Sequence, residues 1–381
     1  MPDAYLTTYV GNPTLSLGND NNIDLTTDIN TVTVTTGDIS GTVLGGEGID
    51  NIMVNVGNID EGTLSLGSNN DSIQLLKGYI QGNNIGTDST INMGAGNDTL
   101  KARGISNRSI VDMGTGNDTV ILTDTMGLGG GQPTLILGQG SDNVTINTLA
   151  QGTIYTGTST ANEDGAIDTV KIDSISGGNL YLGAGDTLNN VAGTGYTSMS
   201  SGLITYSDAA DTLTLSSLTG GDVIMGNGND TLTVNSNITN GNIDMGAGND
   251  TFALNGNMSG NNQLVTGGAG SDTLLFAGTS PHTVSLNATR HIENFDLTNG
   301  HSGDVLTIDN RSASNILTIA RNLDGNIIKV NGDVGDTVQF DNGLIPQFRS
   351  VSSDLAGYHE YTYTNSGTTY LLYIDTDMTI I

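Results

Sequence analysis

Aspartate recurs in this chain at an interval that chemistry can use. Asp230 in MGNGNDTL is answered by Asp250 in MGAGNDTF, and the same slot is held by Asp50, Asp71, Asp98, Asp118, Asp142, Asp168, Asp186, Asp211 and Asp272, eleven turns spaced 18 to 27 residues apart. A degenerate turn, LGNDNNIDL at residues 17–25, precedes them. In the fullest turns glycines stand at alternate positions just before the aspartate. They permit backbone conformations that other residues avoid, and they leave carbonyl oxygens facing the gap between successive turns. A cage of carbonyl and carboxylate oxygens suits a hard cation such as Ca²⁺; zinc, copper and iron prefer nitrogen and sulfur. Metal-free turn chemistry would also favour Asn, Asp and Gly. Carboxylates stacked about 5 Å apart, however, repel one another at every turn unless something neutralises them.

The elements that position these turns follow from what lies between them. Short alternating runs such as TLTV at 231–234 predict strands, with Leu232 and Val234 pointing inward and Thr231 and Thr233 outward. A second, looser turn of Gly and Asn separates two such strands, as in NVGNIDEG, KARGISNRS and NSNITNG. Each period thus reads strand, turn, strand, turn. A period near twenty residues with two short strands is the mark of an all-β parallel β-solenoid of about 20–22 residues per rung, in which stacking buries an apolar face that no single repeat can bury. Met225 and Met245 precede their turns as adaptable fillers of a narrow core. The regular turns end near residue 277, so the expected organisation is a solenoid over 1–277 and a β-rich cap over 278–381.

Composition agrees. The 381 residues include 55 Gly, no Cys, no Trp and 4% aromatic residues, poor material for an ordinary globular core. A formal charge of −30 opposes compaction unless counter-ions bind, and it disfavours nucleic acid as a partner. MPDAYLTTYVGNP has neither a basic nor an apolar stretch of a Sec-type signal, and no run of 18 apolar residues suggests a membrane span. Enzyme signatures are missing: there is no HExxH, and GHSGD at 300–304 is only a near miss to GxSxG. His282, His291, His301 and His359 have no metal-ligand spacing and are expected at the surface or in the cap. Lys101, Arg103 and Arg108, which could belong to a polysaccharide-lyase groove, are expected to be a solvated patch.

The turns resemble the nonapeptide G-G-x-G-x-D-x-U-x of RTX (repeats-in-toxin) proteins, the calcium-binding β-roll family. Gly45-Gly46-Glu47-Gly48-Ile49-Asp50-Asn51-Ile52-Met53 and Gly267-Gly268-Ala269-Gly270-Ser271-Asp272-Thr273-Leu274-Leu275 match in full. The turns at Asp98, Asp118, Asp142, Asp230 and Asp250 match except that Met or Leu replaces the first Gly. The resemblance implies an RTX-like β-roll with several Ca²⁺ ions along one edge. The implied ligands are Asp50, Asp98, Asp118, Asp142, Asp230, Asp250 and Asp272 with the carbonyls of Gly46, Gly48, Gly94, Gly96, Gly114, Gly116, Gly138, Gly140, Gly226, Gly228, Gly246, Gly248, Gly268 and Gly270. Only every second turn carries the motif, so the opposite edge is expected to be metal-poor. That one-sided pattern is similar to the ice-binding region of certain giant RTX adhesins. It departs from that region where Thr should follow the first Gly, at Ala95, Gln139, Asn227 and Ala247, Thr115 alone conforming. The turns near Asp71, Asp168, Asp186 and Asp211 depart from the nonapeptide.

The last 90 residues or so resemble the C-terminal domain of type I-secreted RTX adhesins and surface proteins. The resemblance rests on I-E-x-x-D-L-T at 292–298, G-D-x-G-D-T-V at 332–338, a Tyr-rich hairpin at 358–373, and Asp375 and Asp377 before a hydrophobic end. A Trp usual after the second element is missing, with Phe340 and Phe348 nearby. It implies export by a type I apparatus to the cell surface or outside, where calcium completes folding. The expectation is a non-enzymatic, secreted structural protein that self-assembles into a layer, fibre or matrix. Its partners are further copies of itself, the type I secretion apparatus and cell-surface polysaccharide. A calcium-dependent adhesin that grips a glycan or host surface is the alternative, and a polysaccharide-acting enzyme the third.

Overall fold

The computed structural model describes residues 6–8, 14–16, 22–25, 30–82, 88–158, 164–193, 195–258, 264–279, 281–285, 288–308, 327–340, 347–351, 355–365 and 368–381. Most of the turn at 17–25 lies outside them. The chain forms two compact units, Met1–Thr197 with Gly202–Ser207, and Ser198–Ser201 with Asp208–Ile381. Each is a parallel β-solenoid, and no α-helix occurs among the described residues.

In the first unit one face stacks Asn30–Thr36, Asp50–Val54, Ser72–Leu75, Thr99–Ala102, Thr119–Met126 and Asn143–Leu149, each parallel to the next. The other face stacks Thr42–Gly46, Thr63–Gly67, Thr90–Asn92, Ile110–Asp112, Thr134–Ile136 and Thr153–Tyr155. Strict register puts like residues on like. Ile52, Ile73, Leu100, Val120 and Val144 form one interior column, and Leu64, Ile91, Val111, Leu135 and Ile154 another, all at most 2% exposed. Burying each such side chain contributes about 1.5–3 kcal/mol, and only a neighbouring rung can provide the burial.

In the second unit Thr212–Leu218, Thr231–Val234, Thr251–Leu254, Thr273–Phe276, Asn294–Leu297 and Ile327–Gly332 stack on one face. Leu232, Val234, Ile243, Met225 and Met245 are buried, as the alternation predicts, while Thr231 and Thr233 stay partly exposed. Parallel pairing runs through residue 277. Thr283–Ser285, Val305–Ile308, Thr337–Phe340 and Thr379–Ile380 form a separate parallel sheet. The face ends in an antiparallel hairpin, Tyr358–Asn365 with Thr368–Asp375, whose second strand pairs parallel to Ile327–Gly332.

Candidate metal centre: the aspartate ladder

Each turn begins where a strand delivers an apolar residue to the interior and a glycine then reverses the chain. Gly94, Gly114, Gly138, Gly226, Gly246 and Gly268, the first of each Gly-x-Gly, all have φ between +95° and +114°. A Cβ on Gly114 would overlap the carbonyl oxygen of Gly94, and one on Gly246 that of Gly226, so the rungs close to backbone contact here. The second glycines form a parallel column, in which a Cβ on Gly116 would strike Gly96 O, and one on Gly248 would strike Gly228 O. Gly46 and Gly48 precede Asp50 at the same sequence spacing but without the left-handed φ of the other turns; the carbonyl of Gly46 receives the N–H of Ser68 at 3.0 Å. First-glycine carbonyls are thus already engaged, Gly94 O by Thr115 N–H at 2.8 Å and Gly226 O by Ala247 N–H at 3.0 Å. The second-glycine carbonyl oxygens of Gly96, Gly116, Gly228 and Gly248 likewise lie against the next rung's glycine. Gly140 and Gly270 hold the equivalent place in their rungs.

The aspartates are buried, at 0–3% exposed, and not displayed on the edge. All but Asp50 and Asp211 present Oδ1 to the backbone N–H of the preceding rung's aspartate. In the first unit the bonds run from Asp50 N–H to Asp71 (2.8 Å), Asp71 to Asp98 (2.7 Å), Asp98 to Asp118 (2.7 Å), Asp118 to Asp142 (2.6 Å), Asp142 to Asp168 (2.7 Å) and Asp168 to Asp186 (2.7 Å). The second unit repeats this from Asp211 to Asp230 (2.8 Å), Asp230 to Asp250 (2.8 Å) and Asp250 to Asp272 (2.9 Å). Hydrogen bonds to a charged acceptor are the strong kind, so Oδ1 locks rung to rung.

The second oxygen decides what else the ladder can do. Oδ2 of Asp50, Asp71, Asp98, Asp118, Asp142, Asp230, Asp250 and Asp272 is buried with no hydrogen-bond partner. An unpartnered buried carboxylate oxygen is costly when charged, so each must either take up a proton or face a cation. Burial, helped by neighbouring carboxylates, raises Asp71, Asp118 and Asp142 to about 7 and Asp230 and Asp250 to about 6. Burial likewise raises Asp50, Asp98 and Asp272 above the ordinary carboxylate range. Among the described residues no three His, Cys, Asp or Glu side chains converge. A cation here must therefore take one carboxylate oxygen per rung and complete its shell with carbonyls, a donor set that fits Ca²⁺.

The geometry separates turns that their sequences group together. Asp71 has the orphan oxygen of the regular turns despite its departure from the nonapeptide. In the Asp71 turn Asn69 takes the left-handed conformation of the missing glycine, with φ 78°. Asp186 is different, because its Oδ2 accepts the N–H of Gly183 at 2.7 Å. Ahead of Asp168 the glycine pair is replaced by Asp164, whose carboxylate accepts Gly140 N–H (2.7 Å) and Ala166 N–H (2.9 Å). Burial carries Asp168 to about 8.

Several parts of the ladder escaped the sequence reading. Asn30 stands in the aspartate slot before Asp50, and its Nδ2 donates to Asp50 Oδ1 at 2.9 Å. Glu293 ends the second unit's ladder, accepting Asp272 N–H at 2.7 Å. An exposed asparagine ladder runs beside the buried one in the opposite sense, from Asn97 N–H to Asn70 Oδ1 (2.8 Å), Asn117 to Asn97 (2.7 Å) and Asn249 to Asn229 (2.7 Å). The N in the GND triplet was its only signal. Of the four histidines expected at the surface or in the cap, His282 falls in the cap region and is buried there, 1% exposed with Nδ1 3.0 Å from the buried Asp304 carboxylate. Its GD partner lies just before a strand of the separate parallel sheet, where strand stacking brings 282 over 304. Arg103 pairs with Asp124 at 2.8 Å and Arg108 with Asp88 at 3.3 Å on the surface.

No protein-family model and no curated protein matches the chain. Among solved structures it resembles an X-ray crystal structure of a hyperactive, Ca²⁺-dependent, beta-helical antifreeze protein from an Antarctic bacterium. The identity is 21% over 88% of this chain and 84% of that one, with a TM-score of 0.44. A likeness that distant carries no argument about function.

Proposed function

We propose that the chain is a calcium-loaded structural solenoid that works outside the cell. The observation that carries this reading is the column of buried carboxylate oxygens without partners, beside glycine carbonyl oxygens that lie against the next rung. Asp50, Asp98, Asp118, Asp142, Asp230, Asp250 and Asp272, joined by Asp71, hold the ions through Oδ2, and the second glycine of each turn supplies a carbonyl. Calcium supplies the neutralising charge. Where free calcium is scarce the metal-free chain is held open by its own carboxylates. Outside the cell, binding becomes folding free energy.

The same charge governs association. A formal −30 keeps metal-free copies apart, and each Ca²⁺ removes two charges from that repulsion. In this reading the partners are further copies of the chain, laid together into a layer or fibre, and the type I apparatus that exports it. Catalysis has no part. The test is to titrate Ca²⁺ into chelated protein while following circular dichroism and light scattering on the same sample. Growth of β-signal over the calcium titration, followed by particle growth, supports the reading. Full β-signal in chelator with no calcium response would overturn it, and folding without association would remove the self-assembling part.

A further inference from the structure

Outside the aspartate ladder, the feature with most chemical content lies on the outer surface of the first unit. There the columns of the second face project Asp112, Ile136, Tyr155 and Tyr181 in register, one per rung. Beside them the turns project Thr115, Gln139 and Thr158. Asp112, Ile136, Thr115, Gln139, Thr158 and two turn glycines enclose a depression of about 270 Å³. One rung beyond its Ile136 floor stands Tyr155, whose ring stacks on that of Tyr181 with centroids 5.0 Å apart and planes 11° from parallel. In a chain with only 4% aromatic residues, two aromatics stacked on the solvent face of neighbouring rungs are not used by the core.

We propose that this depression and the tyrosine pair form a subsite for a neutral polysaccharide chain lying along the solenoid axis. A sugar ring offers what these groups take. Its hydroxyls donate to the Asp112 carboxylate and exchange hydrogen bonds with the Gln139 amide and the Thr115 and Thr158 hydroxyls. Its apolar C–H groups pack on Ile136 and on the outward edges of the stacked tyrosine rings. The volume sits just below the ~300 Å³ at which small-molecule pockets begin, which suits one sugar ring and leaves neighbouring rings to lie on Tyr155 and Tyr181. The Asp112 carboxylate and the chain's strongly negative charge exclude polyuronates and other polyanions. The inference goes beyond the calcium reading and needs only the folded first unit.

The experiment is affinity electrophoresis of the full chain through gels containing soluble β-glucan, galactomannan or dextran, with polygalacturonate as the anionic comparison. It is run in whichever of calcium or chelator gives the full β-signal, so failure of the calcium reading leaves the test intact. We expect retardation by at least one neutral polymer and none by polygalacturonate. Tyr155→Ala and Asp112→Asn should each weaken it about tenfold or more, with circular dichroism unchanged. Tyr155→Phe should restore binding, and Thr214→Ala in the other unit should leave it intact. If Tyr155→Ala disturbs the fold, Asp112→Asn and Gln139→Ala decide. Passage through every neutral gel without retardation, retardation indifferent to these variants, or stronger binding to polygalacturonate would each overturn the proposal.

Discussion

Replacing Asp118 by Asn separates the two jobs of the aspartate ladder. Asn keeps an oxygen to accept the Asp98 N–H, now at 2.7 Å, but puts an NH₂ where the partnerless Oδ2 lies. Burial and the neighbouring Asp142 and Asp98 carboxylates raise Asp118 to about 7. A folded-state value above the unfolded one means that ionisation opposes folding. The penalty is full above about 7 and fades as pH falls toward the ordinary carboxylate range. At ~1.4 kcal/mol per pH unit, ionised Asp118 opposes metal-free folding by up to ~4 kcal/mol at pH 8. Asn removes that term and leaves a buried donor unmet, at about 1–3 kcal/mol. In chelator at pH 8 the variant should therefore be more stable than the parent by ~1–3 kcal/mol. Calcium should reverse the comparison of gains: with free Ca²⁺ at 100 times Kd, the parent gains about 2.7 kcal/mol per ion and the variant lacks one such share. Urea unfolding followed by circular dichroism, in chelator and in calcium, measures both. Asp336→Asn is the comparison, because Asp336 already accepts N–H bonds on both oxygens, from Gly303 and Asp304 at 3.0 Å and from Asp333 at 2.8 Å. It should destabilise in both conditions and leave the calcium increment alone. If Asp118→Asn instead loses stability in chelator, or gains from calcium as much as the parent, the assignment of Oδ2 to a cation is wrong.

The same linkage predicts that metal-free protein gains β-structure as pH falls from 8 to 5, since Asp71, Asp118, Asp142, Asp168, Asp230 and Asp250 take up protons between about 8 and about 6. Calcium affinity, read with a calcium electrode, should weaken over that window because protons and cations compete for the same oxygens. Gly248→Ala, at φ +148° and with its Cβ overlapping Gly228 O, should lower stability by ~3 kcal/mol or more in a thermal melt. Gly130→Ala, at φ +84° in open space, should lose only the ~1–2 kcal/mol of the backbone conformation. Phe252→Ala should cost ~3–5 kcal/mol in urea, as Phe252 is 1% exposed in the interior column, whereas outward Thr233→Ala should stay within ~0.5 kcal/mol.

Which of these features the amino acids announce depends on whether they repeat. Leu232, Val234, Met225 and Met245 fall inside because alternation and a fixed period leave no other register, so solenoid, strand faces and core are readable from the letters alone. The slot of each aspartate is readable for the same reason. Its orientation is not: a carboxylate beside glycines suggests an exposed ligand, while stacking turns it inward and divides its oxygens. Asp186 follows its second glycine directly where Asp250 stands one residue further on, and the letters do not say that Gly183 N–H then occupies Oδ2 in one while nothing occupies it in the other. Asn69 stands for a glycine and Glu293 for an aspartate because the rung fixes a backbone angle and an acceptor position rather than a residue type. The burial of His282 has no signal in the letters because its partner, Asp304, lies just before the next strand of a sheet outside the main repeat. The division of labour within one side chain then explains how the array tolerates irregular turns. Oδ1 maintains the stack wherever an acceptor of suitable length is present, so Asp168 and Asp186 hold the rungs together even where Asp164 or Gly183 replaces the usual surroundings. Cation binding adds a second requirement, an oxygen left over, and only the turns that meet it can take part in a calcium response. Calcium stabilisation should accordingly be uneven along the chain, greatest where Gly-x-Gly leaves Oδ2 free and least around Asp186. Hydrogen exchange of the strands flanking each turn, with and without calcium, would show that pattern; uniform protection along both units would contradict it.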